Sequence, residues 1–407
     1  MLGEKGQVLT VVKVGWLLLA ATFFLTGCAY DVSLTSTLHT DVLPRHVLHV
    51  RDQFALRNAP EFAQALPLMG FDLAAQRGHT GQGASVLIID FFGQRTTWGP
   101  QHGWAVLETT MKSAPDADYW TLDLDAIVAE IRQDFTGILD PVLRALDRAL
   151  ALWPQHRWDV INMSLGYIRS SDRCTTGTKY DVSINSALRN LWKRDVDIVT
   201  SSGNSGKFTP MYPACVPQVI AVGAVYDVDQ ERQQWPENER TDFPGCTDAP
   251  VVRGGIACFS HRGEIYAVGA FATGYKRYRG HQPFAGTSLA SPFVTGAVAL
   301  LRAGGLNAAQ ARQRLLDTAA KKMNGNTLYR VLDVAAALGL RAATSLVPSA
   351  QPSLKGAVDA NKNGTVETAE LQSAIAAWSQ NVPLRGRLLD DRDINTIIQA
   401  WVLGSPL

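Results

Sequence analysis

The 407-residue chain lacks a surplus of either charge: 38 Lys and Arg stand against 37 Asp and Glu, a net charge of +1. With no basic field and no long block of like charge, a nucleic-acid partner is not expected. The apolar run at residues 14–25 holds 12 residues, short of the roughly 20 that a helix needs to cross a bilayer. Cysteine is scarce, at five residues, and none of the four beyond Cys28 sits in a setting that would make it a catalytic thiol. What is present is ordinary for a protein with a sizeable core, 46% hydrophobic and 18% charged residues, in a chain long enough for one large domain plus smaller attachments.

Lys5 and Lys13 flank the start of the apolar run, which reads as an export signal. It ends in Leu25-Thr26-Gly27-Cys28, which resembles a bacterial lipobox. That resemblance implies a signal peptide over residues 1–27, cut before Cys28, and lipid attached to the Cys28 thiol. The chain would then be held on the cell envelope, since each buried methylene contributes about 0.8 kcal/mol. Ala29, not Asp, follows the cysteine, which implies the outer membrane if the envelope is Gram-negative. An uncleaved anchor and an ordinary signal peptide are the other readings. Export leaves Cys174, Cys215, Cys246 and Cys258 in an oxidising compartment. The sequence alone does not choose among the three ways of pairing them; nearest-neighbour pairing is preferred here.

Residues 28–70 are polar and mixed, and read as a tether or short pro-segment. From residue 71 strand and helix patterns alternate. Ser85-Val86-Leu87-Ile88-Ile89 is a continuous apolar run ending in a carboxylate, as a buried parallel strand would. Residues 158–163, 197–200 and 218–222 read as further strands. Leu139, Val142, Leu143, Leu146 and Leu150 follow helical spacing, and residues 293–301 and 308–320 also read as helical. The alternation predicts an α/β fold, a doubly wound, mostly parallel sheet with helices on both faces over residues 71–340. Residues 341–354, rich in Ser, Pro and small residues, read as a linker to a small all-α module at 355–407.

A serine hydroxyl attacks carbonyl carbon only when a base removes its proton and a carboxylate orients that base. Asp90, His102 and Ser288 are the candidates. Asp90 ends the apolar strand, and His102 alone among eight histidines precedes a glycine. Ser288 opens a helical stretch, where N–H groups and the helix dipole favour negative charge. Singly, each has a bland reading: a strand-end cap for Asp90, a surface histidine for His102, and a turn residue for Asn204 among its glycines.

Together they resemble the subtilase family of serine peptidases. Gly286-Thr287-Ser288-Leu289-Ala290-Ser291-Pro292 matches that family's Gly-Thr-Ser-x-Ala-x-Pro signature, and the order Asp90, His102, Ser288 is the family's order. Asn162-Met163-Ser164-Leu165-Gly166 is similar to its cleft-lining segment. Ser201-Ser202-Gly203-Asn204-Ser205-Gly206 is similar to the segment that carries the oxyanion asparagine, and Phe259-Ser260-His261-Arg262-Gly263 to its Phe-Ser-x-x-Gly turn. The resemblance implies an endopeptidase acting on polypeptides. Asp90, His102, Asn204 and Ser288 would be its catalytic residues, and Ser164, Leu165, Gly166, Ser202 and Gly203 would line the substrate. Phe91-Phe92 and Trp104-Ala105 depart from the family pattern beside Asp90 and His102, which leaves the packing around the imidazole open. A catalytically silent binding lipoprotein is the alternative. An esterase is disfavoured, because no Gly-x-Ser-x-Gly elbow surrounds Ser288.

In the C-terminal module, residues 359–370 fit a calcium-binding loop of the EF-hand type. Asp359, Asn361 and Asn363 supply side-chain oxygens, Thr365 a carbonyl and Glu370 both carboxylate oxygens, with Gly364 at the sharp turn. A second copy lies 23 residues on, with Val382, Leu384 and Gly386 in the ligand positions. Leu371, Ile375 and Trp378, with Ile394, Ile398 and Trp401, are expected to form a two-helix core. Loop plus single exiting helix, twice, resembles a dockerin, which implies calcium as cofactor and a cohesin-like partner.

Overall fold

The computed structural model describes residues 47–50, 64–92, 102–131, 139–167, 174, 179–238, 243–270, 285–324, 327–341, 354–361, 363–379, 384 and 391–403. Its strands are β1 (Val47–Val50), β2 (Ser85–Asp90), β3 (Asp118–Asp123), β4 (Val160–Met163), β5 (Asp197–Ser201), β6 (Ile220–Tyr226), β7 (Gln233–Asn238), β8 (Phe243–Asp248), β9 (Ile265–Ala270), β10 (Ala320–Asn324) and β11 (Thr327–Val331). Its helices are α1 (Ala65–Met69), α2 (Phe71–Gln76), α3 (His102–Ser113), α4 (Leu124–Ile131), α5 (Leu139–Leu152), α6 (Lys179–Trp192), α7 (Thr287–Ala303), α8 (Ala308–Thr318), α9 (Val334–Ala337), α10 (Leu354–Val358), α11 (Thr368–Ser379) and α12 (Asp391–Leu403).

Successive residues of a strand face opposite sides, and β2 buries both. Val86 and Ile88 enter one core with residues of α3 and α7, while Leu87 and Ile89 enter a second core with residues of α5 and α6. A strand covered on both faces has no polar side to show, so its sequence is apolar throughout. Nine strands form one sheet in the order β1-β3-β2-β4-β5-β6-β9-β11-β10. The seven from β3 to β11 run parallel, and β1 and β10 are antiparallel edges. The chain leaves β2 for β3 on one side and returns to β4 on the other. Such a reversal opens a crevice at the carboxyl ends of the strands.

Helix α7 is buried all round, from Leu289 to Leu301, because it lies inside the core against α3, β4, β5, β6 and β9. Gly296 sets its distance from α3: a Cβ there would fall 2.2 Å from Ser113 Cβ.

The strands read at 85–89, 158–163, 197–200 and 218–222 are β2, β4, β5 and β6, and the helical spacings are α5, α7 and α8. Ala320 opens β10 instead of ending a helix. Downstream, Arg330 and Val331 finish β11, and α9 starts after Asp333, whose carboxylate caps it by accepting the Ala336 N–H at 3.0 Å. Within the stretch read as a tether, Val47–Val50 pairs with β3 and Ala65–Met69 is helical. The disulfides are Cys174–Cys215 and Cys246–Cys258, with Cα separations of 5.5 and 6.1 Å.

In the C-terminal module the expected core holds for Leu371 and Ile394 and is corrected for Ile375, Trp378, Ile398 and Trp401. Val358, Val366, Leu371, Ala374, Ile394, Ile397 and Ala400 form it, whereas Ile375, Trp378, Ile398 and Trp401 are 37–41% exposed. Each residue along a helix turns by about 100°. Ile375 and Ile398 each stand one step beyond an inward residue, Ala374 and Ile397. Leu371 and Ala374 of α11 and Ile394, Ile397 and Ala400 of α12 therefore lie on the inward faces, and Ile375, Trp378, Ile398 and Trp401 on the outer sides.

At the amino ends of β4 and β5, Arg302 Nη2 bonds Asp159 at 3.2 Å and Asp195 at 2.8 Å. Arg302 Nε lies 3.9 Å from Asp197 Oδ2. Asp197 is 3% exposed. Burial pushes its carboxyl up to about 8, with Arg302 and Arg312 opposing and Asp195 and Asp159 reinforcing. In the unfolded chain it ionises near pH ~4. The folded state thus holds the extra proton between roughly pH 4 and 8, and stability falls across that window as pH rises. Asp197→Asn should remove this slope. The variant-minus-wild-type melting temperature, followed by circular dichroism, should climb from pH 5 to pH 8; a difference that stays flat counts against the assignment.

Candidate active site

Asp90 closes β2, His102 opens α3, Ser164 follows β4, Asn204 follows β5, and Ser288 is the second residue of α7. The structure joins them in two bonded groups, and the adjacency of β2 and β4 sets these groups side by side.

The first group is Asp90 with His102. Asp90 is fully buried, and its Oδ1 accepts hydrogen bonds from His102 Nδ1 at 2.8 Å and from the Phe91 N–H at 2.7 Å. Because a carboxylate only accepts, Nδ1 carries the hydrogen, and Nε2 is the nitrogen that exchanges a proton. Burial pulls the imidazole pKa down, but the charge of Asp90 and its hydrogen bond together outweigh this and raise it above the ordinary histidine value. The residues that depart from the family pattern pack on one another. Trp104 Nε1 donates to the Phe92 carbonyl at 3.2 Å. The Phe92 and Trp104 rings meet edge to face, with centroids 5.3 Å apart. Gly103 is required there: its N–H bonds the Phe91 carbonyl at 2.9 Å, and a Cβ would fall 2.7 Å from that oxygen.

The second group surrounds Ser288. Thr287 donates to Asn204 Oδ1 twice, from its N–H at 2.8 Å and its hydroxyl at 2.9 Å. With Oδ1 held, the Nδ2 end is turned to the site. A Cβ placed on Gly286 would sit 3.4 Å from both Asn204 Nδ2 and Ser288 Oγ. Pro292 has no N–H to bond the Ser288 carbonyl within the helix. The Ser164 hydroxyl supplies that bond at 2.9 Å. Asn162 Nδ2 holds the helix about two turns further on through Thr295 Oγ1 at 2.8 Å, and Ser291 Oγ lies 2.6 Å from Ser164 Oγ.

Of the residues read as lining the substrate, Ser164 and Ser202 are buried, with hydroxyls engaged inside the protein. Ser164 bonds Ser288, and Ser202 donates to the His261 carbonyl at 3.1 Å. The Ser202 backbone is engaged as well, its N–H to the Val222 carbonyl at 2.9 Å and its carbonyl to the Met211 N–H at 2.7 Å, so the reading of Ser202 as a substrate-lining residue is corrected. Leu165 is also buried. Met211 lies between the two segments, 3.3 Å from where a Gly166 Cβ would be and 2.4 Å from a Gly203 Cβ. Gly203 also holds φ +119, which a side chain would rarely adopt.

In the module, the loop turns its oxygens inward. Asp359 accepts from the Asn363 and Gly364 N–H groups at 3.0 and 2.9 Å, and Glu370 from those of Ala360 and Glu367 at 2.6 and 3.1 Å. Asn361 and Asn363 each accept a backbone N–H two residues on, at 3.0 and 2.9 Å, the latter from Thr365. Both carboxylates are buried, and Gly364 takes φ +87. Among the described residues no three His, Cys, Asp or Glu side chains converge as a metal cluster, so Asn361, Asn363 and the Thr365 carbonyl would have to complete any ligand set. Cys28 and the segment between Gly93 and Gln101 lie outside the described residues, as do Val382 and Gly386.

Thr287, Ser291, Thr295, Met211 and His261 were not singled out from the sequence as residues of the site. Thr287 and Ser291 lie inside the Gly286–Pro292 motif and His261 inside the Phe259–Gly263 turn, and Thr295 stands out as a polar residue in an otherwise apolar helix.

Residues 136–337 match the subtilase family model, a stretch that holds Asn204 and Ser288 and begins after His102. The chain is similar to a thermophilic serine proteinase of Bacillus sp. strain AK1, 29% identical over 175 residues, covering 42% of this chain and 35% of the relative. It is similar to the subtilisin-like protease PopC of Myxococcus xanthus, 28% identical over 186 residues, covering 41% and 34%. Subtilisin DY of Bacillus licheniformis is 32% identical over 171 residues, covering 40% and 51%. The chain thus spans from a third to about half the length of these curated relatives. The matched stretch and the bonded groups at the sheet's carboxyl edge agree: this chain carries a domain of the subtilase family.

Proposed function

We propose that the chain is an exported serine endopeptidase, and that the buried Asp90–His102 hydrogen bond of 2.8 Å carries that reading. A histidine held in one tautomer by a buried carboxylate is what a serine nucleophile needs. Ser288 Oγ attacks the scissile carbonyl carbon while His102 Nε2 takes its proton. The oxyanion is met by Asn204 Nδ2 and the Ser288 N–H, one of the first-turn N–H groups that have no intrahelical acceptor. His102 then gives the proton to the departing amine, leaving an acyl-Ser288 ester. Water attacks the ester by the same proton relay in reverse. The imidazole must be neutral to act as base, so the raised His102 pKa places the acidic limb of kcat/KM above pH 6.5.

A fluorophosphonate probe should label wild type at Ser288 and leave Ser288→Ala unlabelled. Asp90→Asn should lower kcat by about four orders of magnitude and move the acidic limb down. Absence of labelling, with Ser288→Ala keeping the partners of wild type, would instead favour a catalytically silent binding lipoprotein.

In the module, Asp359, Asn361, Asn363, the Thr365 carbonyl and Glu370 fit an oxygen-donor site for calcium. Two buried carboxylates sharing one loop are relieved of mutual repulsion when a divalent cation binds between them. Calcium would thereby hold α11 to the loop. The dockerin resemblance adds a cohesin-like partner as the module's second role. Calcium should raise the melting temperature of the module's transition, and chelator should lower it. In Asp359→Ala neither should have an effect; wild type indifferent to millimolar calcium would remove the site.

The residues Leu25-Thr26-Gly27-Cys28 support export with lipid on Cys28 and attachment to the envelope membrane. Metabolic labelling with a tagged fatty acid should mark wild type and not Cys28→Ala, which should also leave the membrane fraction. An unlabelled wild-type chain overturns the lipid and leaves the peptidase reading intact.

A further inference from the structure

We propose that His261 is a positioning residue that fixes the Asn204 amide; this rests on the peptidase reading, in which Asn204 meets the oxyanion. His261 is buried, 2% exposed, in a turn 56 residues from the segment it holds. Its backbone N–H donates to the Gly203 carbonyl at 2.9 Å, and its ring Nε2 lies 2.6 Å from Ser205 Oγ. Those two contacts straddle Asn204, one on each side. Ring Nδ1 lies 2.8 Å from the Thr209 carbonyl, and the His261 carbonyl accepts the Ser202 hydroxyl at 3.1 Å. A single residue therefore grips positions 202, 203, 205 and 209.

The tautomer follows from the acceptor. A carbonyl only accepts, so Nδ1 carries the hydrogen, and Nε2 of the neutral ring accepts from the Ser205 hydroxyl. The ring spans both limbs of the loop that carries Asn204, a task that a short side chain could not perform. The space is tight as well: a Cβ on Gly203 would lie 3.0 Å from His261 Cγ. Thr287 fixes the Asn204 side chain from α7, through Oδ1. His261 fixes the backbone from which that side chain extends. Oxyanion stabilisation is steep in geometry, since displacement by about 1 Å can cost a hundredfold.

The test is a mutant cycle on the full chain with a chromogenic peptide substrate. His261→Ala and the milder Ser205→Ala, which removes only the Nε2 partner, are each made alone and in an Asn204→Ala background. Labelling by the fluorophosphonate and the melting temperature are read alongside. The expected result is a kcat lower by about tenfold or more at nearly unchanged KM, below the hundred- to thousandfold ceiling of losing the asparagine itself. In the Asn204→Ala background the same changes should have no further effect on kcat, because the group they position is gone. An equal fold-loss in both backgrounds, or full kcat in both variants, overturns the proposal. If His261→Ala fails to fold, Ser205→Ala decides by the same criterion. A wild-type chain that neither labels nor cleaves sinks the peptidase reading itself, and this inference with it.

Discussion

Proline at position 292 has no N–H to give the carbonyl four residues back, and that carbonyl belongs to Ser288. An unpaired carbonyl there would cost about 1–3 kcal/mol, and it would loosen the first turn of α7, where the candidate nucleophile sits. Ser164, 124 residues away at the end of β4, supplies the missing bond. Asn162, two residues earlier on that strand, bonds Thr295 about two turns further along α7. The end of β4 thus grips the helix at two levels, and α7 is fixed in height against the sheet. Once its height is fixed, Thr287 stands opposite Asn204 and can hold the amide by two hydrogen bonds. The positions of the nucleophile, the oxyanion donor and the cleft segment are therefore one constraint, set by a residue that cannot donate.

The same sheet shows what its two ends do to a buried carboxylate. At the carboxyl end Asp90 is fully buried, yet it has an imidazole and a backbone N–H on one oxygen. At the amino end Asp197 is nearly as buried, but Arg302 hydrogen-bonds Asp159 and Asp195 and comes no nearer than 3.9 Å to Asp197. Burial then dominates and its proton is retained. The contrast follows from partners, not depth. Helix starts aim N–H groups and positive partial charge at the end where α3 and α7 begin, which favours a developing oxyanion beside Ser288.

Much of this architecture could be read from the chain because buried parallel strands have to be apolar. β2, β4, β5 and β6 announce themselves as short hydrophobic runs. The strands β3 and β9, Asp118–Asp123 and Ile265–Ala270, were harder, since polar ends in one and Gly with Ala in the other dilute the signal. The hairpin β10–β11 reads Ala-Lys-Lys-Met-Asn and Thr-Leu-Tyr-Arg-Val, mixed because it lies at the sheet edge. In the site, the motifs gave Asp90, His102, Asn204 and Ser288 because their spacing is local. Pairs joined across 124, 83 and 56 residues, Ser164–Ser288, Asn204–Thr287 and Ser205–His261, have no sequence period to reveal them. The module erred for a different reason. Large apolar residues read as inward by size, whereas the helix phase turns Ala374, Ile397 and Ala400 inward beside Leu371 and Ile394 and leaves Ile375, Trp378, Ile398 and Trp401 outside.

The departures from the family pattern beside Asp90 and His102 also belong to one arrangement. Phe91-Phe92 and Trp104-Ala105 occupy the two sides of the same junction, the exit of β2 and the entry of α3. Three contacts cross it: Gly103 N–H to the Phe91 carbonyl, Trp104 Nε1 to the Phe92 carbonyl, and the Phe92 ring edge-on to Trp104. Each pulls the start of α3 toward the end of β2, and His102 is the residue between them. Removing one aromatic would expose the other and slacken the helix start, so the pair has to change together. The imidazole is then held near Asp90 by its neighbours' packing as well as by its own hydrogen bond. Only twelve positions separate Asp90 from His102, so the contacts of Phe91 and Phe92 with Gly103 and Trp104 bear on both ends of that short connection.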